Sequence, residues 1–168
     1  MGVAAPVQAE SIFQKPPQDN LDLCELEEDK FLCYTAVTIQ HNLKDWFTYM
    51  TDQEQYGEPE NFTSHWKELN DQESGARSFT DDCDGFALTA GDAAYSLGVS
   101  TEDITVLGIN AKEGEIEGHM VLAIGEYVVD NATNTVHHWT AYGDRFDLSM
   151  KSGEGWKEFD PIKLGWSK

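Results

Sequence analysis

Basic residues are scarce in this chain: 11 Lys+Arg stand against 31 Asp+Glu, a formal net charge of -20 over 168 residues. Such a surface repels phosphate backbones and anionic lipid, which excludes general nucleic-acid binding and a basic membrane patch. Long hydrophobic runs are missing too. None reaches the roughly 20 residues that a spanning helix needs, so no membrane insertion is expected. Met1 to Glu10 lack the basic start and apolar core of a signal peptide, although Val7-Gln8-Ala9 looks like the small-residue end of one. The expected location is cytoplasmic or virion-associated if the chain is complete, and periplasmic or secreted if it has been trimmed. Cysteine is sparse: Cys24, Cys33 and Cys83, with no Cys-x-x-Cys and hence no common zinc pattern. Cys24 and Cys33 read as buried apolar residues, with a disulfide in an oxidising compartment as the alternative. Phosphate loops and Gly-x-Ser-x-Gly elbows are likewise absent from the sequence.

Apolar material is ample. Hydrophobic residues make up 40%, with eight Phe, six Tyr and five Trp, enough for a real core. Residues 1–20, with Pro6, Pro16 and Pro17, read as a flexible or loosely draped arm, and residues 21–168 as one domain. Leu32, Ala36, Ile39, Leu43, Trp46 and Met50 recur at helical spacing, and Phe62, Trp66 and Leu69 suit a short helix. A better-defined helix follows Asp81-Asp82, either of which can cap it, and ends before Gly98, a natural C′ residue. Beyond Gly98 the period changes to that of strands: 104–109, 119–124 and 127–130, then weaker candidates at 136–140, 145–149 and 156–159. Helices first and antiparallel strands second make an α+β domain.

Chemistry concentrates at three positions. Cys83 stands in the first turn of the capped helix, where the positive end of the dipole favours thiolate. A nucleophile of this kind needs a base and a group to orient the base. His119 opens an otherwise apolar strand, and Asp130 closes the next. A two-residue Gly125-Glu126 turn makes them diagonal neighbours across the hairpin, a turn shifted by one residue puts them directly opposite, and both registers allow a hydrogen bond. His137 and His138 adjoin and face opposite sides of a strand, a poor chelating pair.

Asp82-Cys83-Asp84-Gly85-Phe86-Ala87, Leu97-Gly98-Val99, Gly118-His119-Met120-Val121-Leu122 and Val128-Val129-Asp130-Asn131 together resemble the bacterial transglutaminase-like cysteine proteinases. That family includes the LapG-type proteases that release surface adhesins. The resemblance spans about Asp81 to Asn131. Asn42-Leu-Lys-Asp45-Trp46 and Phe62-Thr-Ser-His-Trp66 are similar to weaker family features. It implies a papain/transglutaminase-like fold and a cysteine peptidase acting on polypeptides through a thioester. Cys83 would be the nucleophile, His119 the general base and acid, and Asp130 the orienting carboxylate. The N–H of Cys83 would be one oxyanion donor, and Trp66 is a candidate for the second. No cofactor is required for that chemistry. In LapG-type members the acids flanking the cysteine help bind calcium, and Asp82 and Asp84 match those positions. The family pattern Gly-Asp-Cys-Glu-Asp becomes Asp81-Asp82-Cys83-Asp84-Gly85 here, so one acidic position is lost. The same three residues also suit acyl transfer to an amine, as in transglutaminase or amidase chemistry. The competing reading is a non-catalytic module of papain-like fold in a larger assembly, such as a virion or secretion system.

Overall fold

A computed structural model describes residues 12–51, 54, 63–71, 77–109 and 118–167. After a single-turn helix α1 (Gln18–Asp22), the long helix α2 (Lys30–Trp46) begins at Asp29, whose carboxylate accepts the Leu32 N–H. Leu32, Ala36, Ile39, Leu43 and Trp46 form its buried stripe, as their spacing predicts. The helix stops four residues earlier than expected. Phe47–Tyr49 instead forms a strand, β1, pairing in parallel with β2 (Phe79–Asp81). Aromatic packing explains the switch: Phe47 lies 5.3 Å from Phe79 and 5.0 Å from Phe86, centroid to centroid. Between these strands lies α3 (Trp66–Asp71), the expected short helix. Phe62 falls outside the described residues.

Helix α4 (Cys83–Ser96) follows β2 directly. Six strands then make an antiparallel sheet: β3 (Ile104–Ile109), β4 (His119–Ile124), β5 (Tyr127–Val129), β6 (His137–His138), β7 (Phe146–Lys151) and β8 (Lys157–Glu158). Their order is β6-β5-β4-β3-β7-β8. The expected strand 136–140 keeps only two residues as β6, because Trp139–Tyr142 winds into a 3₁₀ turn.

Strand alternation splits the apolar residues between two clusters. Val106, Leu122, Ile124 and Val129 pack under α2 and α4. Leu107, Val121, Ala123 and Val128 face a second cluster built on Trp139, Tyr142 and Phe146, with Phe159 and Trp166 against it. Residues 12–16 are packed rather than loose. Phe13 stacks between Trp46 and Trp66 at 5.8 and 5.5 Å, and Gln14 exchanges two hydrogen bonds with the Asn42 side chain. Residues 1–11 of the expected arm lie outside the described residues.

Cys24 and Cys33 form a disulfide, Cα–Cα 5.6 Å, so the reading of two buried thiols is corrected. Both are buried, at 0% and 3% exposure, and it is the return of the chain from α1 to the start of α2 that brings them together. Nine residues of separation do not foretell that return.

Candidate active site

Cys83 is the first residue of α4. The capping residue is Asp82, whose Oδ1 accepts the N–H groups of Asp84 and Gly85 at 3.0 and 3.4 Å. With those donors occupied, the Cys83 N–H remains at the position where a helix leaves a backbone donor without an intrahelical partner. The Cys83 thiol donates to Asp84 Oδ1 at 3.5 Å and receives a hydrogen bond from the Met120 N–H. Burial pushes this thiol up to about 12; the carboxylates of Asp84 and Asp82 add to the rise, and the Met120 bond offsets part of it. Burial and the two carboxylates thus oppose the thiolate that the helix start favours.

The contact with Met120 brings the nucleophile helix to β4 one residue from His119. Across the hairpin, Ile124 pairs with Tyr127 and Leu122 with Val129, and Gly125 takes φ 59° in the two-residue turn. This register leaves Val121 opposite Asp130, so His119 is its diagonal neighbour as expected. His119 Nε2 and Asp130 Oδ1 are 2.6 Å apart. With Asp130 ionised, Nε2 carries the proton and the lone pair of the neutral ring sits on Nδ1.

Asp130 is held from several sides. Its Oδ1 also accepts the Ala132 N–H at 2.9 Å, and its Oδ2 accepts the Tyr142 O–H at 2.8 Å. Its backbone N–H donates to Gln40 Oε1, and Gln40 Nε2 donates back to the Asp130 and Thr133 carbonyls. Burial opposes ionisation of Asp130, yet the bonds from His119, Ala132 and Tyr142 hold its carboxyl below the usual carboxylate range. Burial, with Asp130 beside it, pushes the Tyr142 hydroxyl well above the ordinary phenol range, so it stays a donor. Tyr142 and Gln40 escaped the sequence reading. Nothing local marks them, since Gln40 lies 90 residues from its partner.

Asp81 does not cap the helix. It is fully buried, its Oδ2 lies 2.6 Å from His65 Nε2, and its Oδ1 accepts the Asp82 N–H at 2.8 Å. The loss of an acidic residue at Gly85 follows from this. A Cβ there would stand 2.0 Å from the Asp81 carboxyl carbon, so no side chain fits while Asp81 occupies that space. Trp66, the candidate second oxyanion donor, is buried and stacked on Phe13. The imidazoles of His137 and His138 diverge, His137 meeting Tyr142 and His138 meeting Glu126.

For calcium, the chemistry of the donors fits in part. Asp82 and Asp84 are hard oxygen donors beside Cys83. Among the described residues, no group of three or more His, Cys, Asp or Glu side chains converges on a metal-sized space. Further ligands would have to be water, backbone carbonyls or residues outside the described set.

A thiol at a helix start, set against an antiparallel sheet that carries a His–Asp pair, is the layout of the papain-like and transglutaminase-like thiol enzymes. The chain belongs to the bacterial transglutaminase-like cysteine proteinases, whose family model matches residues 18–161. It is thus a cysteine protease of transglutaminase-like type. The solved structure of Legionella pneumophila LapG is similar in fold, with a TM-score of 0.55 at 15% identity, covering 97% of this chain and 93% of that one. A calcium-bound form of the same protein gives 0.53 at 16%, covering 94% and 91%. An EGTA-treated form gives 0.55 at 14%, covering 95% and 88%. No match is found among curated proteins. Family membership favours the protease over the reading as a non-catalytic module.

Proposed function

We propose that Cys83, His119 and Asp130 are the catalytic residues of this protease and that it cleaves a polypeptide through a thioester on Cys83. The 2.6 Å His119–Asp130 bond carries the proposal, because it leaves Nδ1 as the basic nitrogen of a ring one residue from the Cys83 contact. His119 Nδ1 takes the thiol proton as Sγ attacks the peptide carbonyl, and the Cys83 N–H donates to the developing oxyanion. The proton passes to the leaving amine as the C–N bond breaks. Water, deprotonated by the same imidazole, then hydrolyses the thioester and restores the thiol. Asp130 keeps the ring oriented and stabilises its imidazolium. An amine reaching the thioester ahead of water would give transfer instead.

Burial and the neighbouring Asp84 and Asp82 carboxylates oppose loss of the Cys83 proton. Asp82 and Asp84 would hold calcium in this reading; the ion, when bound, supplies positive charge that offsets the two carboxylates beside Cys83. The Cys24–Cys33 disulfide supports an oxidising compartment, periplasmic or extracellular.

Cys83 is the one free cysteine, so alkylation reports on it directly. In a peptide-library digest read by mass spectrometry, Cys83→Ala should abolish cleavage with the fold intact. His119→Ala and Asp130→Ala should lower turnover at least about a hundredfold. Full turnover by Cys83→Ala would overturn the assignment.

A further inference from the structure

A second His–Asp pair lies immediately behind the nucleophile, and the mechanism above does not use it. Asp81 stands two residues before Cys83 and is completely buried, and the His65 side chain is only 10% exposed. Their 2.6 Å separation equals that of His119 and Asp130. The pair is tied to the nucleophile helix at three points. Asp81 Oδ1 accepts the N–H of Asp82, the capping residue. The Asp81 carboxyl lies directly over Gly85, in the space that a Cβ there would fill. The His65 N–H donates to Thr89 Oγ1, a fully buried hydroxyl two turns into α4, at 2.9 Å. Behind Asp81, β2 is pinned to β1 through the Tyr49 register and by the Met50 N–H on the Asp81 carbonyl at 2.8 Å.

We propose that His65 and Asp81 are a positioning pair for Cys83: bridging α3 to the first turn of α4, they fix the angle at which the chain enters the nucleophile helix. The Cys83 side chain has one residue, Asp82, between it and the Asp81 anchor, so play at Asp81 becomes displacement of the sulfur. Attack on a carbonyl tolerates little such displacement, since misplacement by about 1 Å costs of the order of a hundredfold in rate. Gly85 supplies the room for the carboxylate. The pair touches neither substrate nor the reacting atoms, and its effect runs through the backbone. The proposal rests on Cys83 being the nucleophile.

The test compares iodoacetamide alkylation of Cys83 and peptide cleavage, at saturating calcium and fixed ionic strength, for folded wild type, Asp81→Ala, Asp81→Asn and Gly85→Ala. Folding is checked by near-UV circular dichroism. Asp81→Ala removes both acceptors and should lower the alkylation rate constant and kcat at least about tenfold, with KM nearly unchanged. Asp81→Asn keeps the shape and both bonds once the His65 ring moves its proton to Nδ1, so it should restore most of the rate. Gly85→Ala, which expels the carboxylate without touching its chemistry, should reproduce the Asp81→Ala loss. If Asp81→Ala fails to fold, Gly85→Ala and Asp81→Asn carry the comparison. Wild-type alkylation and kcat in folded Asp81→Ala or Gly85→Ala would overturn the proposal, and so would an Asp81→Asn as impaired as the alanine. A wild-type Cys83 that neither cleaves nor alkylates faster than its His119→Ala variant would instead defeat the nucleophile assignment.

Discussion

Tyr142→Phe removes one oxygen atom and isolates the grip on Asp130. The O–H donates to Oδ2 at 2.8 Å in a buried setting, while the ring stacks on Phe146 at 4.9 Å and would stay in place. A hydrogen bond to a charged group is worth about 1.5–3 kcal/mol, so the variant should lose about 2 kcal/mol of stability at pH 7. For a chain of this size that lowers Tm by about 4–8 °C. The pH dependence has a definite sign. Asp130 is held below its unfolded value, so its ionised form contributes stability above the unfolded carboxylate pKa, and this is lost as pH falls through the folded one. Losing the Tyr142 donor raises the folded value, so the acid limb of the variant begins at higher pH. The gap in Tm should be widest at neutral pH, narrow as pH falls through the variant's folded value, and close only below the wild-type value, which lies under the usual carboxylate range. If about 1 kcal/mol of the bond is felt by the imidazolium in the transition state, kcat falls about fivefold with little change in KM. Calorimetry from pH 3 to 8 and peptide cleavage read both effects. A variant within 1 °C of wild type at pH 7 (roughly 0.3 kcal/mol) with unchanged kcat would refute the view that Tyr142 holds Asp130.

Reduction of the Cys24–Cys33 bond, or Cys24→Ala/Cys33→Ala, should cost about 2.5 kcal/mol from the loop it closes and leave turnover of the folded enzyme unchanged; urea unfolding and peptide cleavage check both halves. Calcium should raise Tm of the wild type relative to EGTA at fixed ionic strength, because the unfolded chain lacks the site. Asp82→Asn/Asp84→Asn should abolish that rise. An equal rise in both proteins would assign the effect to the diffuse acidic surface, with its net charge of -20.

Features that depend on neighbours along the chain are legible in the residues alone. A cap at Asp81 or Asp82, the stop at Gly98 and the thiol in the first turn follow from residues within one helix, while the choice of Asp82 waited on the bond that draws Asp81 to His65. The His119–Asp130 pairing follows from a two-residue turn and a period of two, which together permit few registers. Hence the α+β class and the proposed triad were legible before any coordinates. Other features arise between segments far apart in the chain and are set by packing. Aromatic packing on Phe79 and Phe86 turned the end of α2 into a parallel strand. Chain reversal before α2 joined two cysteines otherwise indistinguishable from core residues. Gln40 and Tyr142 became supports of Asp130 across 90 and 12 residues, and His65 met Asp81 across 16. The physical reason is common to all of them. Each is a contact, aromatic, polar or sulfur, whose partner is set by how layers pack, and no periodicity or turn chemistry encodes that choice.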